Sequence, residues 1–273
     1  LIQVYKLFFI FTSCHIRINN NDTIGLVKRC QKIKIGIVQM QVTTDIDRNI
    51  DIMLSDIKKA NKQQIDFLCF PECALSGYVV NHNTINYEII KNNILKLMNT
   101  SYEYDISLLL GTSWKSPSNK IFNTAIIIKP RSKTITKYHK SELTEFDRKY
   151  FSKPNISSLR PFWINESLKC GVLICRDQNN PLLSTKYKKN DVKVLFYLSS
   201  HHYKEQEAIN KERKNRAFPI VRAIENRVYV AKVDAVGEQN GLISIGCSMV
   251  VNPDGEVIAE AKRWKRDLLE FNL

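Results

Sequence analysis

Beyond residue 32, short apolar runs alternate with longer stretches whose apolar residues recur every three or four positions. The short runs, rich in branched side chains, predict strands over 33–40, 65–70, 106–112, 122–128, 134–138, 170–175, 192–198, 228–233, 243–251 and 256–259. Helical spacing is clearest at Ile50, Met53, Leu54 and Ile57, within 47–61, and a second helix is predicted over 87–98. Pro181 opens a third, over 181–187, as a residue whose missing N–H is harmless in a first turn. A long basic and acidic helix is predicted over 204–225, and Pro219 is expected to kink it or divide it in two. Strands interleaved with helices in this way predict α/β layering.

With 273 residues, 44% of them hydrophobic, the chain is long enough for one globular domain with a substantial core, placed at 31–273. No repeat, linker or heptad pattern divides it. Residues 1–30 do not continue the pattern. Their apolar run at 7–11 is far too short to span a membrane and the Asn-rich stretch at 19–22 is polar, so a disordered appendage without a part in catalysis is expected. The net charge of +14 raises nucleic-acid binding. Against it, Lys204, Lys211, Arg213, Lys214 and Arg216 are interleaved with Glu205, Glu207 and Glu212, as on a solvated helix face, and no aromatic–basic or helix-turn-helix motif accompanies them. Neither nucleic acid nor membrane is expected as a partner. The seven cysteines form no CxxC pair and no cluster with histidine, which argues against zinc and suits a reducing, cytoplasmic setting.

Three chemically capable residues stand just after predicted strands. Cys175 ends the run that begins at Cys170 and precedes a polar turn, Glu72 follows Phe70-Pro71, and Lys140 follows Tyr138-His139. A thiol at a strand end, on a tight turn into a helix, is held rigidly and faces a cleft. Taken singly, such a cysteine is usually a small core residue, the glutamate a cap neighbour and the lysine a solvated cation. Together they supply a nucleophile, a base and a cation in equivalent positions, which the separate readings do not explain.

Phe70-Pro71-Glu72 with Ser76-Gly77-Tyr78, then Tyr138-His139-Lys140, then Leu173-Ile174-Cys175-Arg176-Asp177 resemble the three signature blocks of the nitrilase superfamily of carbon–nitrogen hydrolases. The opening strand from Ile33, the segment Arg222 to Asn226 and the turn at Pro253-Asp254-Gly255 resemble the family's flanking blocks, so the likeness runs from about Lys32 to about Glu260. It implies a four-layer α-β-β-α sandwich and a Glu-Lys-Cys triad, with Glu72 as general base, Lys140 as cationic stabiliser and Cys175 as nucleophile. The implied activity is hydrolysis of a non-peptide carbon–nitrogen bond in a small amide or N-carbamoyl compound, through a cysteine thioester and without a metal or organic cofactor. The likeness also implies a homodimer or higher homo-oligomer, formed through the helix after Cys175 and the late helix near 222–226. Two alternatives stand beside this. One is a catalytically silent binding or scaffold subunit, against which the intact triad speaks. The other is a true nitrilase, a branch that usually carries Cys-Trp-Glu where this chain has Cys175-Arg176-Asp177.

Substrate choice is expected to lie in 142–160 and 199–206. Arg176, Ser199 and His201 are the candidates for contacting substrate; a surface or capping role is the alternative for His201 and His202. Many relatives in the family place a second acid after the lysine, and here Glu142, Glu145 and Asp147 are available. Leu143 and Phe146 read as the apolar anchors of a short helical turn, which puts Glu145 or Asp147 on its other side. Glu145 is the preferred candidate and Asp147 the second.

Overall fold

In β1 (Lys34–Gln39), Ile35 and Ile37 pack into one core and Val38 into another. The alternation continues through β2 (Phe67–Cys69), β3 (Ser107–Lys115) and β4 (Ile121–Ile128). Phe67, Leu109 and Ile127 join the first core, while Leu68, Leu108, Leu110 and Ile126 join the second. A strand buried on both faces has no polar side, which is why these segments read as unbroken apolar runs. The computed structural model describes residues 32–154 and 159–273; the expected N-terminal appendage and positions 155–158 of the expected pocket wall lie outside them.

With β5 (Thr136–His139) on one edge and β14 (Asp267–Asn272) on the other, these strands form a six-stranded sheet in the order β14-β1-β2-β3-β4-β5. Its outer face is covered by α1 (Ile46–Lys62) and α2 (Tyr87–Tyr104), which insert Ile50, Met53, Ile57, Ile90, Ile94 and Leu97. The Asp45 side chain starts α1 by accepting the backbone N–H groups of Asp47 and Arg48, two donors that a helix cannot satisfy internally. Asn86 does the same for α2 through Glu88.

The second sheet has the order β13 (Val257–Glu260), β12 (Met249–Val251), β9 (Tyr229–Asp234), β8 (Val194–Ser199), β7 (Lys169–Ile174), β6 (Phe162–Trp163). Phe67 of the first sheet packs on Phe162 and Phe196 of the second, with ring centroids 6.0 and 5.1 Å apart. On the far side, α3 (Pro181–Lys188) and α4 (Glu205–Asn226) bury Leu183, Tyr187 and Ala223. The layers therefore run helix, sheet, sheet, helix, as the sequence resemblance implied. A separate hairpin, β10 (Val236–Gln239) with β11 (Leu242–Ile245), stands beside them. No helix among the described residues is long and apolar enough to cross a membrane.

Three local expectations are corrected. Of the two outcomes expected at Pro219, division of the helix does not occur: α4 runs through it. The proline has no N–H for the Asn215 carbonyl one turn back, and the buried Lys232 ammonium donates to that oxygen instead, at 3.1 Å. The single strand expected over 243–251 is broken at Gly246, whose φ is +74°. A Cβ there would lie 2.4 Å from the Gln39 side chain, which accepts from the Ser248 N–H and donates to the Lys262 and Lys265 carbonyls. Finally, β14 is a strand where none is predicted, because the charged Lys265-Arg266-Asp267 precede its apolar Leu268, Leu269 and Phe271 and Glu270 interrupts them.

Candidate active site

Strands β1, β2 and β3 run parallel, as do β7, β8 and β9, and the carboxyl ends of parallel strands are where α/β sheets place their ligand sites. Glu72 lies three residues past the end of β2, on a turn in which Cys73 has φ 49°. That turn lies directly on Gly111 of β3. A Cβ at Gly111 would sit 2.4 Å from the Cys73 nitrogen, 2.5 Å from the Pro71 carbonyl oxygen and 2.6 Å from the Glu72 Cα. Only glycine allows this approach.

Lys140 follows β5 and Cys175 follows β7. Cys175 has φ 45°, a left-handed conformation that a residue with a side chain rarely adopts, and it begins a 3-10 turn that ends at Asn179. One carboxylate joins these two strand ends. Asp177 Oδ1 accepts the N–H groups of Ser141 and Glu142 at 3.0 and 2.7 Å, and Oδ2 accepts the Ile174 N–H at 2.9 Å and the Tyr138 hydroxyl at 2.6 Å.

Lys140 is fully buried and its ammonium is held between two acids. It donates to Glu72 Oε1 at 2.6 Å and lies 2.7 Å from Asp147 Oδ2. Glu72 Oε1 also accepts from Asn123 Nδ2 at 2.8 Å, whereas Glu72 Oε2 is buried and accepts no hydrogen bond from the described residues. Asp147 is further held by the Thr144 N–H at 2.8 Å and the Tyr78 hydroxyl at 3.2 Å.

Burial pushes the Glu72 carboxyl up from 4.5 to about 7; the Lys140 charge opposes the shift and the Asp147 charge adds to it. For Asp147 burial acts upward too, but Lys140 and the Thr144 hydrogen bonds outweigh it and hold the carboxyl below its ordinary value. Burial pulls the Lys140 ammonium downward, but the neighbouring acids, Glu72 foremost with Asp147, outweigh it and hold the group well above the ordinary lysine value. The Cys175 thiol is pushed well above the ordinary range, by burial and then by the Glu72 charge, with Lys140 opposing. The resting pair is a neutral thiol near a carboxyl that titrates at neutrality.

Cys175 opens on a cavity of about 420 Å³ whose wall includes Arg176, Glu145, Phe146, His201 and Tyr203. Arg176 is exposed there and Glu145 stands exposed at the mouth. The carboxylate on Lys140 is thus that of Asp147 and not of Glu145. The reason is the turn at 147–149: Asp147 N–H donates to Thr144 Oγ1 while its carboxylate takes the Thr144 N–H, a reciprocal pair that turns Asp147 inward. Ser199 is also corrected, since it is the last residue of β8, wholly buried in the sheet, and forms no part of the cavity wall. His201 lines the cavity, while His202 is buried against Ser200 and Gln239.

The sequence reading passed over Asn123, Lys232 and Asp234 and gave Tyr78 and Asp177 no role. A signal was present: Asn123 is the lone amide in an apolar strand, and Lys232 and Asp234 alternate with valine and alanine in β9. A polar residue in a strand buried on both faces requires a partner. Among the described residues no group of three or more His, Cys, Asp and Glu is disposed to hold a metal ion.

The family model described as carbon-nitrogen hydrolase matches residues 34–273. A nitrilase of Pyrococcus abyssi is 28% identical over 242 residues, covering 86% of this chain and 87% of its own. An omega-amidase of Xenopus tropicalis is 28% identical over 238 residues, 84% of each chain. The crystal structure of an amidase from Nesterenkonia sp. superposes with a TM-score of 0.77 over 92% of this chain and 94% of that one, at 20% identity, which shows a shared fold. A mutant of that amidase carries the acetamide moiety of fluoroacetamide covalently added at its active-site cysteine. With the family's match running from residue 34 to residue 273 over a four-layer sandwich, this chain belongs to the carbon–nitrogen hydrolase family, within the nitrilase superfamily.

Proposed function

We propose that the cleft hydrolyses the carbon–nitrogen bond of a small carboxamide or N-carbamoyl compound through a thioester on Cys175. The observation that carries this reading is the division of labour between the Glu72 oxygens. Oε1 is fixed by Lys140 and Asn123, and Oε2 is left without a hydrogen bond among the described residues, on a carboxyl poised at about 7. A base with that pKa takes and returns a proton at neutral pH. As Glu72 Oε2 accepts the thiol proton, Cys175 Sγ attacks the carbonyl carbon and the π pair moves onto oxygen. An ammonium ion has three N–H bonds; two are directed at Glu72 and Asp147, and the third is available to the oxyanion. The intermediate collapses with loss of the C–N bond, the nitrogen receives the proton from Glu72, and ammonia or amine leaves. Water then gives its proton to Glu72 and attacks the thioester. The C–S bond breaks, Glu72 returns that proton to the sulfur to re-form the thiol, and a carboxylic acid departs, or carbamic acid where the substrate was an N-carbamoyl compound.

The test is an ammonia-release screen over small amides, N-carbamoyl compounds and nitriles, with intact-mass detection of the acyl-enzyme. Turnover of amides or N-carbamoyl compounds is expected, with no adduct and no ammonia from Cys175→Ala. Preference for nitriles would overturn the amide assignment, and ammonia release by Cys175→Ala would overturn the nucleophile. The reading includes self-association through α3 and α4, supported by the exposed Leu182, Val221 and Ile224 on these helices. Light scattering at micromolar concentration should give twice the chain mass or more, and a monomer would refute it.

A further inference from the structure

Three strands of the second sheet end side by side at the cleft. Cys175 follows β7, His201 lies two residues past β8, and Asp234 closes β9; the register pairing Ser199 with Asp234 carries His201 over the end of β9. His201 Nδ1 lies 2.8 Å from Asp234 Oδ2, and the His201 backbone N–H donates to Oδ1 at 3.2 Å. The Tyr203 ring stacks on the imidazole with centroids 6.0 Å apart. Lys232 stands 3.2 Å from Asp234 Oδ2 while donating to the Asn215 carbonyl that Pro219 leaves unpaired.

This arrangement decides which imidazole nitrogen carries the proton. Burial opposes ionisation of Asp234, but His201 and Lys232 outweigh it and hold the carboxyl far below its ordinary value. A carboxylate at Nδ1 requires a proton there. Burial also keeps the ring neutral; Asp234 favours the charged form, but burial with Lys232 and Lys140 prevails. The lone pair therefore falls on Nε2. That atom has no hydrogen-bond partner among the described residues, and His201 lines the same cavity as Cys175.

We propose that His201 determines specificity: its Nε2 accepts a hydrogen bond from an N–H attached to the reacting carbonyl. The cleft then takes carboxamides and ureido groups in preference to esters of the same acyl part. This rests on the thioester reading of Cys175. The discrimination has a physical basis, since a site built to pair a substrate N–H is left with an unpaired buried acceptor by an analogue lacking it.

The experiment compares a primary amide with the methyl ester of the same short acid, using the full-length chain. His201→Asn keeps a donor for Asp234 where Nδ1 stood but places nothing at the reach of Nε2. Its kcat/KM for the amide should fall roughly tenfold with the ester unchanged. His201→Gln, long enough to return an oxygen to that position, should recover part of the amide rate. Equal losses on amide and ester in His201→Asn, or undiminished amide turnover, would overturn the proposal. Cys175→Ala should process neither compound; turnover of either would instead remove the thioester reading.

Discussion

Asp177→Asn removes one acceptor oxygen from a carboxylate that serves four donors. With its oxygen kept at Ser141 and Glu142, the new amide group faces the Ile174 N–H, donor against donor, while the Tyr138 hydroxyl can rotate to accept. One buried N–H is then left unsatisfied, at a cost of about 1–3 kcal/mol. The opposite amide orientation strands two such groups and is the worse choice. For a domain of this size the lower cost corresponds to a fall of roughly 2–12 °C in unfolding midpoint. Activity should fall further than stability does. The same carboxylate ties residues 141 and 142, next to Lys140, to the elbow that presents Cys175, and a displacement of about 1 Å between reacting groups costs on the order of 10²-fold in rate. Thermal unfolding and kcat/KM are measured on one preparation well above pH 6, because burial raises the Asp177 carboxyl to about 6 and the parent must be ionised. A midpoint shift in the stated range with kcat/KM within about twofold of the parent would refute the tie between geometry and catalysis.

The acid limb of kcat/KM should have a midpoint near 7, reporting Glu72 coupled to Lys140 and Asp147, and a flat profile through that pH would contradict its role as base. Because burial raises the folded carboxyl from 4.5 to about 7, the stability it contributes is fully present below about 4.5 and is lost as pH rises through about 7. Urea unfolding should therefore show Glu72→Gln gaining on the parent across that window, by about 3 kcal/mol; a difference that does not vary with pH would exclude this. Asp147→Asn should lower kcat/KM at least about tenfold, ~1.4 kcal/mol, whereas Glu145→Gln, at the cavity mouth, should stay within about threefold; the reverse order would restore Glu145 as the supporting acid. Gly111→Ala forces the Glu72 turn off β3, so about 1–3 kcal/mol of stability and most of the activity should go together. Retained activity would mean that the turn can shift without harm.

The three candidate positions were legible because strand ends are visible in sequence: an apolar run stops and a chemically capable residue follows, as at Glu72, Lys140 and Cys175. What joins those ends was not legible. Asn123 and Asp177 act through distant partners, Asn123 on Glu72 at a separation of 51 and Asp177 on Glu142 at 35. Glu145 and Asp147 sit two residues apart on one turn, and only the reciprocal pairing of Thr144 with Asp147 selects between them. Likewise, nothing local decides whether Pro219 divides α4 or stays inside it. Its orphaned carbonyl finds Lys232 from another strand, and this tertiary contact overrides the propensity.

The pairing of β1 with β14 has a consequence for synthesis. Lys34 lies opposite Asn272, and the Ile33 and Leu273 backbones exchange hydrogen bonds of 2.9 and 3.0 Å. On a ribosome adding about 5–20 residues per second, β1 waits on the order of tens of seconds for that partner. Throughout that interval its outer edge presents unpaired N–H and C=O groups beside apolar side chains, the pattern that recruits foreign strands. Yield should thus depend on how long translation of the stretch between β1 and β14 takes, and on any chaperone that shields this edge until β14 emerges.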